Sequence, residues 1–164
     1  MIPILYEADA TSFITNGIAR LRDAASVLVT EEKNGVYELT MTYPVDGAHF
    51  EDIIPGRIIA VTHDDSGDIQ PFDIVSYSKP IDGMATFHAV HISYRQSFLT
   101  VTGQNINSLA DALDLLATAE PTNPFTYQTD ISSNAYLAAA DGKPKSVRQL
   151  LGGSAGSILD ADGG

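Results

Sequence analysis

Residues 24–45, AASVLVTEEKNGVYELTMTYPV, constrain the fold more than any other stretch of this chain. Asn34-Gly35 sits between two runs of extended character. Both residues tolerate the positive φ of a type I′ turn, so the stretch predicts a β-hairpin turning at Lys33-Asn34-Gly35. In the second arm Val36, Glu38, Thr40 and Thr42 point one way, and Tyr37, Leu39, Met41 and Tyr43 the other. That period of two gives one apolar and one more polar face. Pro44 has no N–H for a ladder and predicts the end of the strand.

The rest of the first hundred residues repeats this texture. Residues 2–7 read as a first strand, 9–17 as a loop with an Asn16-Gly17 turn signal, and 18–22 as a short link into the hairpin. After Pro44, residues 48–54 read as one helical turn, broken by Pro55-Gly56. Strands are expected over 57–63, 70–78 and 84–92, separated by Asp64-Asp65-Ser66-Gly67-Asp68 and Pro80-Ile81-Asp82-Gly83. In the 70–78 run, Phe72, Ile74 and Ser76 share one face, and Asp73, Val75 and Tyr77 the other. About six strands in hairpins predict a small antiparallel barrel or sandwich over residues 1–101.

The pattern changes near Thr102. Residues 108–119 carry Leu109, Ala110, Leu113, Leu116 and Ala117 at helical spacing, with Asn107 or Ser108 as cap and Asp111 in the first turn. Residues 125–129 and 134–138 read as short strands. Residues 146–151 read as a short helix with a Ser-x-x-Gln capping box at Ser146 and Gln149, and Gly152 as its stop. Ser157-Ile158-Leu159 is apolar enough to be buried, yet the chain runs on only to Gly164, so the end reads as a cut or truncated chain. The expected class is α+β: an N-terminal antiparallel β-barrel, then a partial α/β domain over residues 102–164.

Composition narrows the function classes. Of 164 residues, 44% are hydrophobic, enough for a real core, and 21 acidic side chains face 9 basic ones for a net charge of −12. A duplex-binding domain or an anionic-membrane binder needs the opposite balance. The absence of cysteine excludes disulfides and thiolate metal sites. The N-terminus lacks the basic and apolar regions of a signal peptide, and no stretch approaches the ~20 apolar residues of a membrane span. A soluble protein assembled in a cytoplasm is expected.

No catalytic or metal constellation converges. His63-Asp64-Asp65 has metal-ligand chemistry but sits on a turn where solvated Asp is the usual occupant. His88 and His91, three apart on a strand, point to opposite faces and cannot chelate one ion. His49 stands alone. No Gly-x-Ser-x-Gly elbow with following Asp and His, no P-loop lysine and no dinucleotide fingerprint is present. Glu31-Glu32 and Glu51-Asp52 are sequence neighbours, which a strand directs to opposite faces, so they make poor acid/base pairs. No catalytic residue, cofactor or metal is assigned.

Several segments in order resemble one family. They are Ile2-Pro3-Ile4-Leu5-Tyr6, Phe13-Ile14-Thr15-Asn16-Gly17, the hairpin from Val29 to Leu39, Tyr43-Pro44, Arg57-Ile58-Ile59, Gln70-Pro71-Phe72, Ser78-Lys79-Pro80 and His91-Ile92-Ser93-Tyr94. Pro124-Phe125-Thr126, Ser146-Val147-Arg148, Leu150-Leu151-Gly152-Gly153 and Gly156-Ser157-Ile158-Leu159-Asp160 follow. Together they resemble the N-terminal region of phage minor structural proteins, the tail-associated proteins of long-tailed phages and prophages often labelled prophage tail endopeptidase. The resemblance implies a tail-tube-like β-barrel of the baseplate-hub kind in a virion tail tip. Its implied partners are copies of itself in a homotrimer, the tail tube, distal tail proteins, and DNA in transient passage, with no membrane insertion. Peptidase activity is expected in more C-terminal parts, so this chain is expected not to be an enzyme. If the ring encloses the DNA path, an acidic lumen repels phosphate, and Glu31, Glu32 and Glu38 are its candidate lumen or interface residues. The alternatives are a tail-associated peptidase or wall hydrolase with its active site in this region, and a receptor- or carbohydrate-binding module.

Overall fold

The computed structural model describes residues 2–32, 35–62, 67–102, 108–118, 123–129, 144–152 and 157–158. The alternation in the opening hairpin becomes strands β3 (Ser26–Glu31) and β4 (Tyr37–Pro44), paired antiparallel from Ser26 opposite Thr42 to Glu31 opposite Tyr37. Leu39, Met41 and Tyr43 are buried and Glu38 is exposed, as the period of two requires. Lys33 and Asn34 lie outside the described residues. The flanking register is nevertheless informative: the Glu32 N–H donates to the Val36 carbonyl at 2.7 Å, so three residues separate the last bonded pair, one more than a two-residue type I′ turn encloses. Three-residue hairpins that use glycine satisfy the same signal. Pro44 ends the strand, as expected. It is the last residue of β4, opposite Met84.

Around this hairpin the chain builds one antiparallel sheet of seven strands in the order β2-β1-β5-β6-β7-β4-β3. The others are β1 (Ile4–Tyr6), β2 (Ala19–Arg20), β5 (Ile58–Thr62), β6 (Ile69–Tyr77) and β7 (Met84–His91). The sheet curls as a half-barrel, and among the described residues no ladder joins β3 back to β2. Its main core contains Leu5, Leu39, Met41, Tyr43, Ile59, Phe72, Ile74 and Phe87, with Leu21 and Ile53 packed in from the connections. Burying side chains of this size contributes about 1.5–3 kcal/mol each. A second, smaller cluster of Tyr6, Ile58 and Ala60 lies on the opposite face, covered by Ile4, Ala10 and Phe13.

The helical turn expected over residues 48–54 forms as a 3-10 turn at Phe50–Asp52. Two features depart from the sequence reading. Residues 18–22 are not only a link: Ala19–Arg20 pairs with β1, a strand too short to show a period. In β6 a bulge falls between Ile74 and Ser76, so Ser76 pairs with His88 and Tyr77 with Phe87. The extra residue reverses the alternation beyond it. Tyr77, not Ser76, therefore joins the side of Phe72 and Ile74, where its ring stacks on Phe87 at 5.5 Å.

The chain divides into two compact units, one of residues 1–32 and 36–92, the other of residues 33–35 and 93–164. In the second, β8 (Thr100–Thr102) pairs antiparallel with β9 (Pro144–Ser146), and helices α1 (Leu109–Ala117) and α2 (Val147–Leu151) share a core of Val101, Leu109, Ala112, Leu113, Leu116, Val147, Leu150 and Ile158. Both caps expected from the sequence form: Ser108 accepts the Asp111 N–H, and Ser146 and Gln149 close a capping box before Gly152. Residues 125–129 are not a strand. Asn123 holds the segment to the end of α1 instead, donating to the Leu116 carbonyl at 2.9 Å and accepting from the Phe125 N–H at 2.9 Å. Residues 134–138 lie outside the described residues. Ser157 and Ile158 are buried.

Candidate functional site

The hairpin register decides where the three glutamates go. Glu31 stands opposite Tyr37, and Thr30 stands opposite Glu38. Glu31 and Glu38 are thus carried on opposite faces, and all three glutamates are exposed. Glu31 belongs to an aromatic end of the sheet, where Tyr37 stacks on His91 at 4.3 Å and both approach Phe72 edge-on. His91 Nε2 lies 3.2 Å from Gln70 Oε1. Glu32 follows β3 and gives its N–H to Val36. The three therefore do not form one acidic cluster.

Glu38 shares its face with rows that cross three or four strands. Ser26, Thr42 and Thr86 form one, Leu28, Thr40, His88 and Ser76 the next, and Thr30, Glu38, Val90 and Asp73 the third. The surface is rich in hydroxyls, with two carboxylates and no lysine or arginine among these residues. It offers hydrogen-bond acceptors and donors on an open sheet, and it disfavours phosphate. His88 is separated from His91 by the sheet itself, as their spacing predicts.

A second polar group lies where β1 ends. Arg57 Nε is 3.4 Å from Glu7 Oε2, and its Nη1 donates to the Asp52 carbonyl at 2.8 Å and approaches Asp52 Oδ1 at 3.3 Å. Asp52 Oδ2 lies 3.0 Å from His49 Nδ1. The His49 hydrogen bond, followed by Arg57, holds the Asp52 carboxyl below its ordinary value. The arginine sits among the carboxylates where a metal would need to be, so the group ties β1, the 3-10 turn and β5 together. Elsewhere, burial pushes the Tyr43 phenol up, helped by the charge of Asp23, while its hydroxyl donates to the Ala48 carbonyl at 2.6 Å. Among the described residues no group of three or more His, Asp or Glu side chains is placed to hold a metal ion. His63, Asp64 and Asp65 lie outside them.

Sequence reasoning missed Leu28. It is 63% exposed on the hydroxyl-rich face of an edge strand, while its neighbours Val27 and Val29 pack toward the core. The signal was present, since Val-Leu-Val in an alternating strand must put one apolar residue on the polar side. Arg57 was read only as the start of a strand; its ion pairs depend on Glu7 and Asp52, which sequence distance does not link.

Comparison with protein-family models, characterised proteins and solved structures found no match for this chain. Among the described residues no helix is long and apolar enough to cross a membrane, which says nothing of membrane β-barrels.

Proposed function

We propose that this chain is a structural part of a phage or prophage tail tip, a hub-like element that joins the tail tube to distal tail proteins around the path of the DNA. The observation that supports this reading best is the sheet face of Glu38, Thr40, Thr42, Thr86 and Asp73, hydroxyl-rich and partly exposed in a chain of net charge −12. Such a surface lets a polyanion slide past without capture, because it offers no cation to a phosphate. The curled antiparallel sheet supports it as the wall of a tube-like barrel. In this reading Glu38 faces the lumen, whereas Glu31 and Glu32 stand at a contact between subunits or tail proteins. The chain acts by assembly and not by catalysis, as a homotrimer when full length, within the virion.

The test is assembly. The full-length protein is expected to run as a trimer in light scattering and to bind isolated tail tubes, and a reconstruction of the ring is expected to show an acidic lumen. A neutral or basic lumen, or a protein that ignores tail tubes, would overturn the proposal.

A further inference from the structure

The two edges of the sheet are unequal. At one edge β2 is only two residues long and ends in Arg20, which blunts it. At the other, β3 presents six residues, SVLVTE, with no proline, lysine or bulge. The Glu32 N–H bonded to the Val36 carbonyl fixes the phase of the β3–β4 ladder. By the alternation of an antiparallel pair, Ser26, Leu28 and Thr30 turn their backbone groups to β4, and Val27 and Val29 turn theirs outward. Among the described residues no strand pairs with β3 on that side.

We infer that β3 is a self-pairing edge: two copies of this chain join antiparallel through β3, about a two-fold axis at Leu28, and extend one sheet into the next. The strand is complementary to its own reverse. With Leu28 opposite Leu28 of the second copy, the outward groups of Val27 meet those of Val29 and exchange N–H···O bonds. The two Leu28 side chains, exposed in one copy, cover each other on the polar face. Val27 lies beside Val29 on the core side, Ser26 beside Thr30, and Glu31 opposite Ala25, so no like charges face one another. Sliding the register by two residues toward the hairpin separates the leucines and sets Val27 against Glu31. The occupant is therefore a second copy, in one register. The net charge of −12 on each copy opposes the union, so added salt strengthens it. The inference rests on this edge alone and does not depend on the tail-tip reading.

Cysteine cross-linking of the full chain tests the register, because the native sequence contains no cysteine. In Leu28→Cys the two α-carbons fall ~4.5 Å apart, at the short end of the disulfide range. In Thr30→Cys the twins are four strand positions apart, ~14 Å. Mild oxidation is expected to convert Leu28→Cys to a covalent dimer and to leave Thr30→Cys monomeric. Light scattering of the native chain is expected to give twice the monomer mass, with the dimer fraction rising with salt. Leu28→Lys, at an exposed position, and Val29→Pro, whose N–H faces outward, are expected to give folded monomers by circular dichroism. A 164-residue chain that stays monomeric, equal cross-linking of both cysteine variants, or a dimer that survives Leu28→Lys would overturn the inference. If β3 instead accepts a strand from a different protein, the purified chain alone stays monomeric.

Discussion

At the β1–β5 end the sheet is buried on both faces; at the β3–β4 end it is buried on one. A single row of side chains crosses the gradient. Thr30, Glu38, Val90, Asp73, Ile58 and Tyr6 are successive cross-strand neighbours on one face, exposed at Thr30 and Glu38 and buried at Ile58 and Tyr6. What changes along the row is the cover. Residues 8–17 fold back over β1 and β5: Phe13 meets Tyr6 edge-on at 5.2 Å, and the Tyr6 hydroxyl donates to the carbonyls of Phe13 and Thr15. No segment among the described residues of this unit covers the other end. The same backbone thus supports two environments, and the sequence of each strand follows its environment. β5 reads Ile-Ile-Ala-Val, buried at every position, whereas β4 alternates.

The largest test is at the buried end of the row. Ile58→Ala removes a side chain with no exposure and is expected to cost about 2–5 kcal/mol in urea unfolding. Glu38→Ala, three positions before Ile58 in the row, is expected to change stability by no more than about 0.5 kcal/mol. Equal losses would erase the distinction between the ends. Next is the cover itself. Gly17 has φ +55°, and a Cβ there would stand 2.2 Å from the Leu5 carbonyl oxygen, whereas Gly83, with φ +76°, has open space around it. Gly83→Ala is expected to cost about 1–2 kcal/mol for its left-handed backbone alone. Gly17→Ala is expected to cost more, because the loop must also move off β1; a smaller loss than at Gly83 would show that the cover is not held there.

Tyr6→Phe keeps the ring and deletes its hydroxyl, for an expected loss of about 1 kcal/mol and faster amide exchange in residues 8–17. The smallest effect is at the exposed network that anchors the covered end. Asp52 has its pKa lowered in the folded state, chiefly by His49, so its contribution is complete above the ordinary carboxylate pKa and is lost as pH falls through the folded value. Native protein is therefore expected to be slightly more stable than Asp52→Asn at neutral pH, with the two converging below about pH 4. Parallel pH profiles would remove Asp52 from the anchor.

What could be read in advance follows from which forces are local. β4 was legible because water on one face writes a period of two into Tyr37 to Tyr43. The caps of α1 and α2 were legible because each cap oxygen and the N–H that donates to it are three residues apart. β2 and the β8–β9 pair were not, since a two-residue strand has no period, and Thr100–Thr102 gives no local sign that Pro144–Ser146 is its partner. Residues 125–129 misled because Phe125 and Tyr127 alternate with polar residues. The alternation reflects a segment leaning on the α1 core through Asn123, not a sheet. For the candidate site, the exposure of Glu31, Glu32 and Glu38 followed from their charge. Their separation onto two faces depended on the hairpin register, which a difference of one residue in the turn resets.

The bulge in β6 has a consequence for shape. Val75 is the surplus residue: with it present, Ser76 and His88 oppose each other and Tyr77 swings inward to Phe87. Deleting Val75 would leave Ile74 followed by Ser76 and Tyr77, an ordinary ladder in which every partner is kept. What would disappear is the local twist that a bulge adds. The curvature of this wall is in that sense an inserted quantity, carried by one half-exposed valine, and a chain without it would keep its contacts while presenting a flatter surface to its surroundings.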